Sequence, residues 1–403
     1  MKRRRVKITG IGPVTPAGIG RDEFWKGILE PVSRVRVFSK IDEKYGAFVA
    51  TYIDDFDLAD YADATRLPKG SARHTVFAAA GAALAVKDAG LTEAELGSAS
   101  TVVITGSSIM DFGGIISSID SVSQRGTRGA LPRVLFNIGI GSVANAINQL
   151  LGINARTVAL SNQCCSGMDA IGYAASLIAR GEADIAICGG TEAPLHRFPL
   201  IELRAAELTP ASTDMPERLA RPFDLWRTTG VVGEGACMFV LEAESSSRRG
   251  YSFISGYGFA NDEGNDLCGG MVTAAKLAAA DAGIRVSEIE AISAWGPGHK
   301  LVDKGEADAM RRLFGDQLDG IPTASIKAAV GTPLGAAPAI QVAASALAQR
   351  YSVLPPTVNW EFPDPDCRLC LSNRPRENAH QLTLINSHGL GAVNSGMILE
   401  RCS

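Results

Sequence analysis

Charge is scarce in this sequence, and histidine scarcer still. Of 403 residues, 20% are Asp, Glu, Lys or Arg and only five are histidine. With 46% apolar residues, this is the composition of a folded chain with ample material for a large core or two. The formal net charge of −4 provides no overall basic field to draw in nucleic acid. The cluster "KRRR" at 2–5 is short, precedes an apolar strand and reads as a solvated terminus. No apolar run reaches the roughly 20 residues a membrane-spanning helix needs. "VKITGIGPVTP" is too short and too rich in glycine for the core of a signal peptide. The eight cysteines lack the spacing of a disulfide scaffold, which fits a reducing, cytoplasmic setting. "CRLC" at 367–370 has CxxC spacing, but no second pair completes a zinc site, so no metal is expected and the two thiols read as half-buried beside a strand.

What is abundant is glycine, 43 residues scattered among apolar runs, as in tight strand–helix turns. The chain also resembles itself. "AAGAALAVKDAGLTEAELGSASTVVITGSS" and "TAAKLAAADAGIRVSEIEAISAWGPG" are each an alanine-rich helix ending in Asp-Ala-Gly, at Asp88 and Asp281, followed by a short link and an apolar strand. Gly90 and Gly283 suit the left-handed residue that ends a helix. "ADIAICGGTEA" pairs with "LTLINSHGLGA", and "VKITGIG" with "FISGYG", in the same order. Alternating strands and helices predict an α/β fold with strands buried on both faces. The halves are expected to span 1–247 and 248–403 and to meet in the polar connector "EAESSSRRGYS" at 242–252.

Chemistry enters at "LSNQCCSGMDAIGYAASLIARG", 160–181. A β-branched run ends in two cysteines, and residues 166–180 continue with helical apolar spacing. A cysteine at a helix N-terminus is favoured as thiolate by the dipole, and free N–H groups there can receive an oxyanion. Two buried structural thiols would read the same way, and on the cysteines alone the readings stand level.

The surroundings separate them. "ALSNQCCSGMDAIGYAA", "CGGTEA", "RPFDLWRTTGVVGEGA", "SIKAAVGTPLGAAPAIQ", "PPTVNW" and "NSHGLGAVNSGMIL", in that order over essentially the whole chain, resemble the β-ketoacyl-acyl carrier protein synthases, particularly the elongating type and their polyketide relatives. The resemblance implies a thiolase-like fold, a duplicated α/β architecture in five layers (αβαβα), normally dimeric. It puts the nucleophile at Cys164, which would carry an acyl chain as a thioester, and leaves Cys165 as a packing residue. It implies an acyl carrier protein as partner, with the phosphopantetheine arm as substrate carrier and no resident cofactor. It also matches Lys327 and Glu306 to an active-site lysine and its acidic neighbour, expected as a buried ion pair, and puts the oxyanion N–H and the gate position at Leu390.

The pattern breaks at two places. The family's two histidines, which hold the thioester carbonyl and assist decarboxylation, are replaced by Trp295 in "SAWGPGHK" and Thr332 in "VGTPLGAA". Tryptophan has one donor and no base, and threonine is no imidazole. His74 and His380 are expected at the surface, and His196 has only a weak claim to a pocket. His388, in place of a family aromatic on the glycine-rich turn, is the first candidate for a replacement base. His299, four residues beyond Trp295, is the second and is expected to be satisfied by backbone. The sequence thus predicts an acyl enzyme working through Cys164 by condensation or acyl transfer. The alternative is a non-catalytic, chain-length-factor-like subunit, so the dimer can be homomeric or heteromeric with a second ketosynthase-like chain. A thiolase using coenzyme A fits less well, because "RPFDLWRTTGVVGEGA" points to the carrier-protein branch.

Overall fold

Ten strands form the frame of the chain. In this computed structural model, which describes residues 3–402, they are β1 (Val6–Thr15), β2 (Thr101–Gly106), β3 (Arg156–Leu160), β4 (Ile185–Glu192), β5 (Gly235–Ala243), β6 (Ser252–Asn261), β7 (Ala291–Ser293), β8 (Thr323–Ala324), β9 (Leu382–Gly389) and β10 (Val393–Arg401). Lys2 of the basic cluster lies outside the described residues. The order across the sheet is β8-β7-β9-β10-β6-β1-β5-β4-β2-β3. Read outward from the middle, one side runs β1-β5-β4-β2-β3 and the other β6-β10-β9-β7-β8, the same order with each label raised by five. The directions repeat as well: the two inner pairings of each half are antiparallel and the two outer ones parallel. The halves join at one register pair, Lys7 with Phe253.

Eight helices complete the layers: α1 (Arg73–Ala89), α2 (Phe112–Arg125), α3 (Gly141–Leu151), α4 (Ser166–Arg180), α5 (Arg197–Ala205), α6 (Gly270–Ala282), α7 (Lys300–Phe314) and α8 (Ala337–Tyr351). α1 and α3 cover the outer face of the first half, and α6 and α7 that of the second. α4 and α8 lie between, touching each other and strands of both halves. The result is αβαβα.

Small residues permit this stacking. A Cβ on Gly10 would lie 2.1 Å from the Ala85 carbonyl oxygen in α1, and one on Gly256 would lie 2.0 Å from that of Ala278 in α6. The two Asp-Ala-Gly segments do the same work twice. Asp88 accepts the Ile11 N–H at 2.9 Å and Asp281 accepts the Tyr257 N–H at 3.1 Å, so each ties its helix to the neighbouring strand. Gly90 and Gly283 then close the helices at φ 67° and 70°.

Three expectations are corrected. His74 and His380 are buried, not superficial; the His380 ring bridges the Asn378 carbonyl and the Thr383 hydroxyl. The basic terminus is not simply solvated. Arg4 donates to the Ile178 carbonyl in the last turn of α4 and to the Ala183 carbonyl just beyond it, and Arg5 lies 3.7 Å over the Phe253 ring. Within the connector, Glu242 is buried and accepts from Thr9, and Tyr251 is buried and bonds Asp88. Among the described residues no helix is long and apolar enough to cross a membrane, and all eight cysteines are free.

Gly10→Ala and Gly256→Ala should each destabilise the chain by at least about 1–3 kcal/mol, the cost of overpacking against backbone that cannot swing aside. Gly97→Ala, with nothing within 4 Å of its added Cβ, should be close to neutral. Urea midpoints check this; unchanged midpoints for the first two would refute the close approach.

Candidate active site

The turn after β3 is held from all sides. Gln163 adopts φ 49°, a left-handed conformation that is uncommon for a residue with a side chain. Ser166 clamps the turn, accepting the Asn162 N–H at 2.8 Å and donating to the Gln163 carbonyl at 2.6 Å. Asn162 Nδ2 donates to Asp169 in the first turns of α4, and Asp169 also accepts from Tyr257 on β6 and Ser395 on β10. Gly106 lets β2 pass beneath: a Cβ there would meet the Ser166 carbonyl oxygen at 2.1 Å.

The two cysteines part company here. Cys165 is fully buried, its thiol directed at the Val393 carbonyl. Cys164 lines a cavity of about 100 Å³ together with Trp295, His299, Thr332, His388 and Leu390, among other largely apolar neighbours. The Leu390 N–H reaches the Cys164 sulfur, and Gly389 passes so close that a Cβ would lie 2.9 Å from the Cys164 nitrogen. The Leu390 side chain itself is exposed.

The electrostatics overturn one expectation. Burial, reinforced by the nearby Glu192 carboxylate, pushes the Cys164 thiol up to about 12; the Leu390 N–H, the Lys327 charge and the residue's own N–H pull the other way without prevailing. The dipole argument fails because the sulfur is buried against a largely apolar cavity. Glu192 is also fully buried. It accepts from Ser107, from the N–H groups of Ser108 and Gly335 and from the Ser108 hydroxyl, and burial pushes it up to about 7.

Lys327 and Glu306 do not pair with each other. They grip opposite ends of one residue. Glu306 accepts the N–H of Trp295 and of Gly296, each at 2.8 Å, and the Asn386 amide at 3.0 Å. Lys327 donates to the Trp295 carbonyl at 2.7 Å and to Gln341 at 2.8 Å, with its Nζ 4.1 Å from the Trp295 ring centre. Burial pulls Lys327 down to about 7. The Thr332 hydroxyl is buried and has no hydrogen-bond partner among the described residues.

His388 and His299 both reach the cavity, and His196, at the start of α5, does not line it. His388 Nδ1 lies 2.9 Å from Asn394 Oδ1. His299 caps α7, its Nδ1 accepting the N–H groups of Leu301 and Val302 at 3.3 Å, so the expected backbone satisfaction holds for one ring nitrogen while the ring still lines the cavity. Sequence reading did not single out Glu192, Asp169, Asn394 or Asp262. Glu192 stands at the end of "CGGTE", but only the fold reveals that this strand end is buried against the elbow.

Iodoacetamide should label Cys164 in preference to Cys165, which has no exposure. With the Cys164 thiol pushed up to about 12, its labelling rate should keep climbing through pH 10, where an ordinary thiol, titrating near about 8.5, has levelled off. Peptide mapping across pH checks both; a plateau below pH 8, or label on Cys165, would overturn the account.

Comparison with known proteins agrees with this geometry. Residues 3–247 match the N-terminal domain of beta-ketoacyl synthase, and 251–361 match its C-terminal domain. The chain is 32% identical to the tetracenomycin polyketide synthase ketoacyl synthase alpha subunit of Streptomyces glaucescens, covering 99% of this chain and 97% of that one. It is 31% identical to 3-oxoacyl-[acyl-carrier-protein] synthase 2 of Coxiella burnetii, over 100% and 99%. The ishigamide ketosynthase/chain length factor superposes with a TM-score of 0.93 at 30% identity, each chain covered in full. Its five-layer thiolase-like architecture is theirs, and the chain belongs to the beta-ketoacyl synthase family.

Proposed function

We propose that this protein is an acyl enzyme of fatty-acid or polyketide synthesis that takes an acyl chain from an acyl carrier protein onto Cys164 and passes it on. The observation that carries this reading is the Cys164 sulfur in an apolar cavity with the Leu390 N–H directed at it. The thiol attacks the carrier thioester. A bond forms from Sγ to the acyl carbon, the bond to the phosphopantetheine sulfur breaks, and the thiol proton passes by way of His388 to that leaving sulfur. The N–H groups of Cys164 and Leu390 stabilise the tetrahedral oxyanion. A thiol that is protonated at rest needs its proton removed as it attacks, which is the work of a neighbouring imidazole. Lys327 and Glu306 hold the peptide at Trp295 and so shape the wall of the pocket. The phosphopantetheine arm is a substrate carrier, and no resident cofactor takes part.

Trp295 and Thr332 argue for acyl transfer over condensation. Transfer needs no decarboxylation, and the Trp295 ring, stacked against Lys327, leaves no imidazole at that position. The second reading, a chain-length-factor-like subunit, draws support from the same substitutions. β3 ends the sheet with one side unpaired, and α2 buries none of its residues, leaving Ile119 and Val122 exposed. Such free surfaces suit a subunit contact in either reading, in a homodimer or in a heterodimer with a second ketosynthase-like chain.

Malonyl-carrier decarboxylation by the purified chain should be slow or absent. Loss of one positioned donor commonly costs about 10²–10³ in rate, and two are missing. Cys164→Gln, which removes the nucleophile and keeps the remaining site, should not unmask it; rapid carbon dioxide release would refute the assignment. Intact mass spectrometry after incubation with acyl-carrier proteins should show one acyl group on Cys164. His388→Phe should lower acyl transfer by roughly 10²-fold or more. If that variant instead supports a companion's chain elongation undiminished and neither chain form is ever acylated, the subunit reading stands.

A further inference from the structure

Two of the five histidines reach the Cys164 cavity, and neither stands at a position where the family keeps an imidazole. His299 arrives from the Trp295 loop and His388 from the end of β9. Their hydrogen bonds fix different protonation patterns. Asn394 Nδ2 donates to Asp262 Oδ1 at 2.8 Å and to the Ala392 carbonyl at 3.2 Å. Both of those partners only accept, so the amide oxygen must be the atom facing His388, and an amide oxygen accepts. His388 Nδ1 is therefore the donor, with Asp262 Oδ2 also 3.9 Å from it, and in the neutral ring Nε2 is bare. At His299 the reverse holds. Nδ1 accepts two backbone N–H groups at the start of α7, so the proton sits on Nε2. Among the described residues neither Nε2 has a hydrogen-bond partner in the chain. Burial lowers the pKa of His299, and the nearby His388 adds to that.

We infer that His388 and His299 are a pair of imidazoles locked in opposite tautomers at the Cys164 cavity, His388 offering a bare Nε2 as base and His299 an Nε2–H as donor, with Asn394 and Asp262 as the residues that position His388. This rests on the acyl-enzyme reading. In the step that empties Cys164, an acceptor bearing an O–H, N–H or S–H enters the cavity. Its heteroatom bonds to the acyl carbon and the bond from that carbon to Sγ breaks. The acceptor proton passes to His388 Nε2 and from there to the released Cys164 sulfur. His299 orients the acceptor by donating a hydrogen bond and gives up no proton. The chain Asp262–Asn394–His388 holds the ring as a buried third residue holds the base in other nucleophile–base pairs: it sets the tautomer and the angle without taking the proton.

The test is the tautomer itself. Long-range ¹H–¹⁵N correlation on the full chain labelled at histidine nitrogen, near neutral pH, should find His388 protonated at Nδ1 and His299 at Nε2, with His388→Phe and His299→Gln giving the assignments. Asn394→Leu should release His388 into a mixture of tautomers and slow both the loading of Cys164 and the emptying of acyl-Cys164 by roughly 10²-fold. The wild-type spectrum needs no variant, so a misfolded Asn394→Leu chain leaves the test intact. Finding both rings in one tautomer, or His388 protonated at Nε2, overturns the inference. The expected tautomers in a chain that never loads Cys164 would instead overturn the acyl-enzyme reading and the roles given to the two rings.

Discussion

The carboxylate of Asp169 is where the two halves of the chain and the cysteine turn are fastened together. It takes one hydrogen bond from the turn, through Asn162, and one each from strands β6 and β10 of the second half, through Tyr257 and Ser395. Burial raises its pKa, a cost offset in part by those three donors. Without the second half, the turn that presents Cys164 would lose two of the groups that anchor it. The arrangement explains why a left-handed Gln163 is tolerated: the conformation is over-determined by Ser166 and Asp169.

Burial reduces the charge that the site carries. Glu192 and Lys327 are each drawn to about 7 by burial, from opposite sides, and the Cys164 thiol is held protonated. A pocket of that kind suits an apolar chain. In the acyl-enzyme reading proposed above, it moves the burden of activating Cys164 from the helix dipole to groups that can accept a proton at the moment of reaction.

How much of this the sequence could reveal depends on how local each feature is. The duplication was legible because Asp-Ala-Gly and the glycine-ended strands recur in order, and Gly90 and Gly283 do end their helices in the left-handed conformation. That Asp88 and Asp281 each bind a neighbouring strand was not, since the partner lies some distance away in the chain. Cys164 was found through motifs around it, yet its pKa was read with the wrong sign, because desolvation is a property of layers stacked over the residue. His74 and His380 misled for the same reason. Lys327 and Glu306 were legible as neighbours but not as clamps, because a carbonyl and an N–H of Trp295, which no side-chain pattern records, stand between them.

The repeated strand order has a consequence for the site's origin. Raising labels by five makes β8 the copy of β3, and the turn leaving β8 is the copy of the cysteine turn. There, in place of a thiol, Lys327 opens the short helix Lys327–Val330. Lys327 is near enough for its charge to pull the Cys164 pKa down against burial. The same place in the repeated order thus holds a thiol in one half and an amine in the other, so one doubled loop has given the two halves different chemical characters.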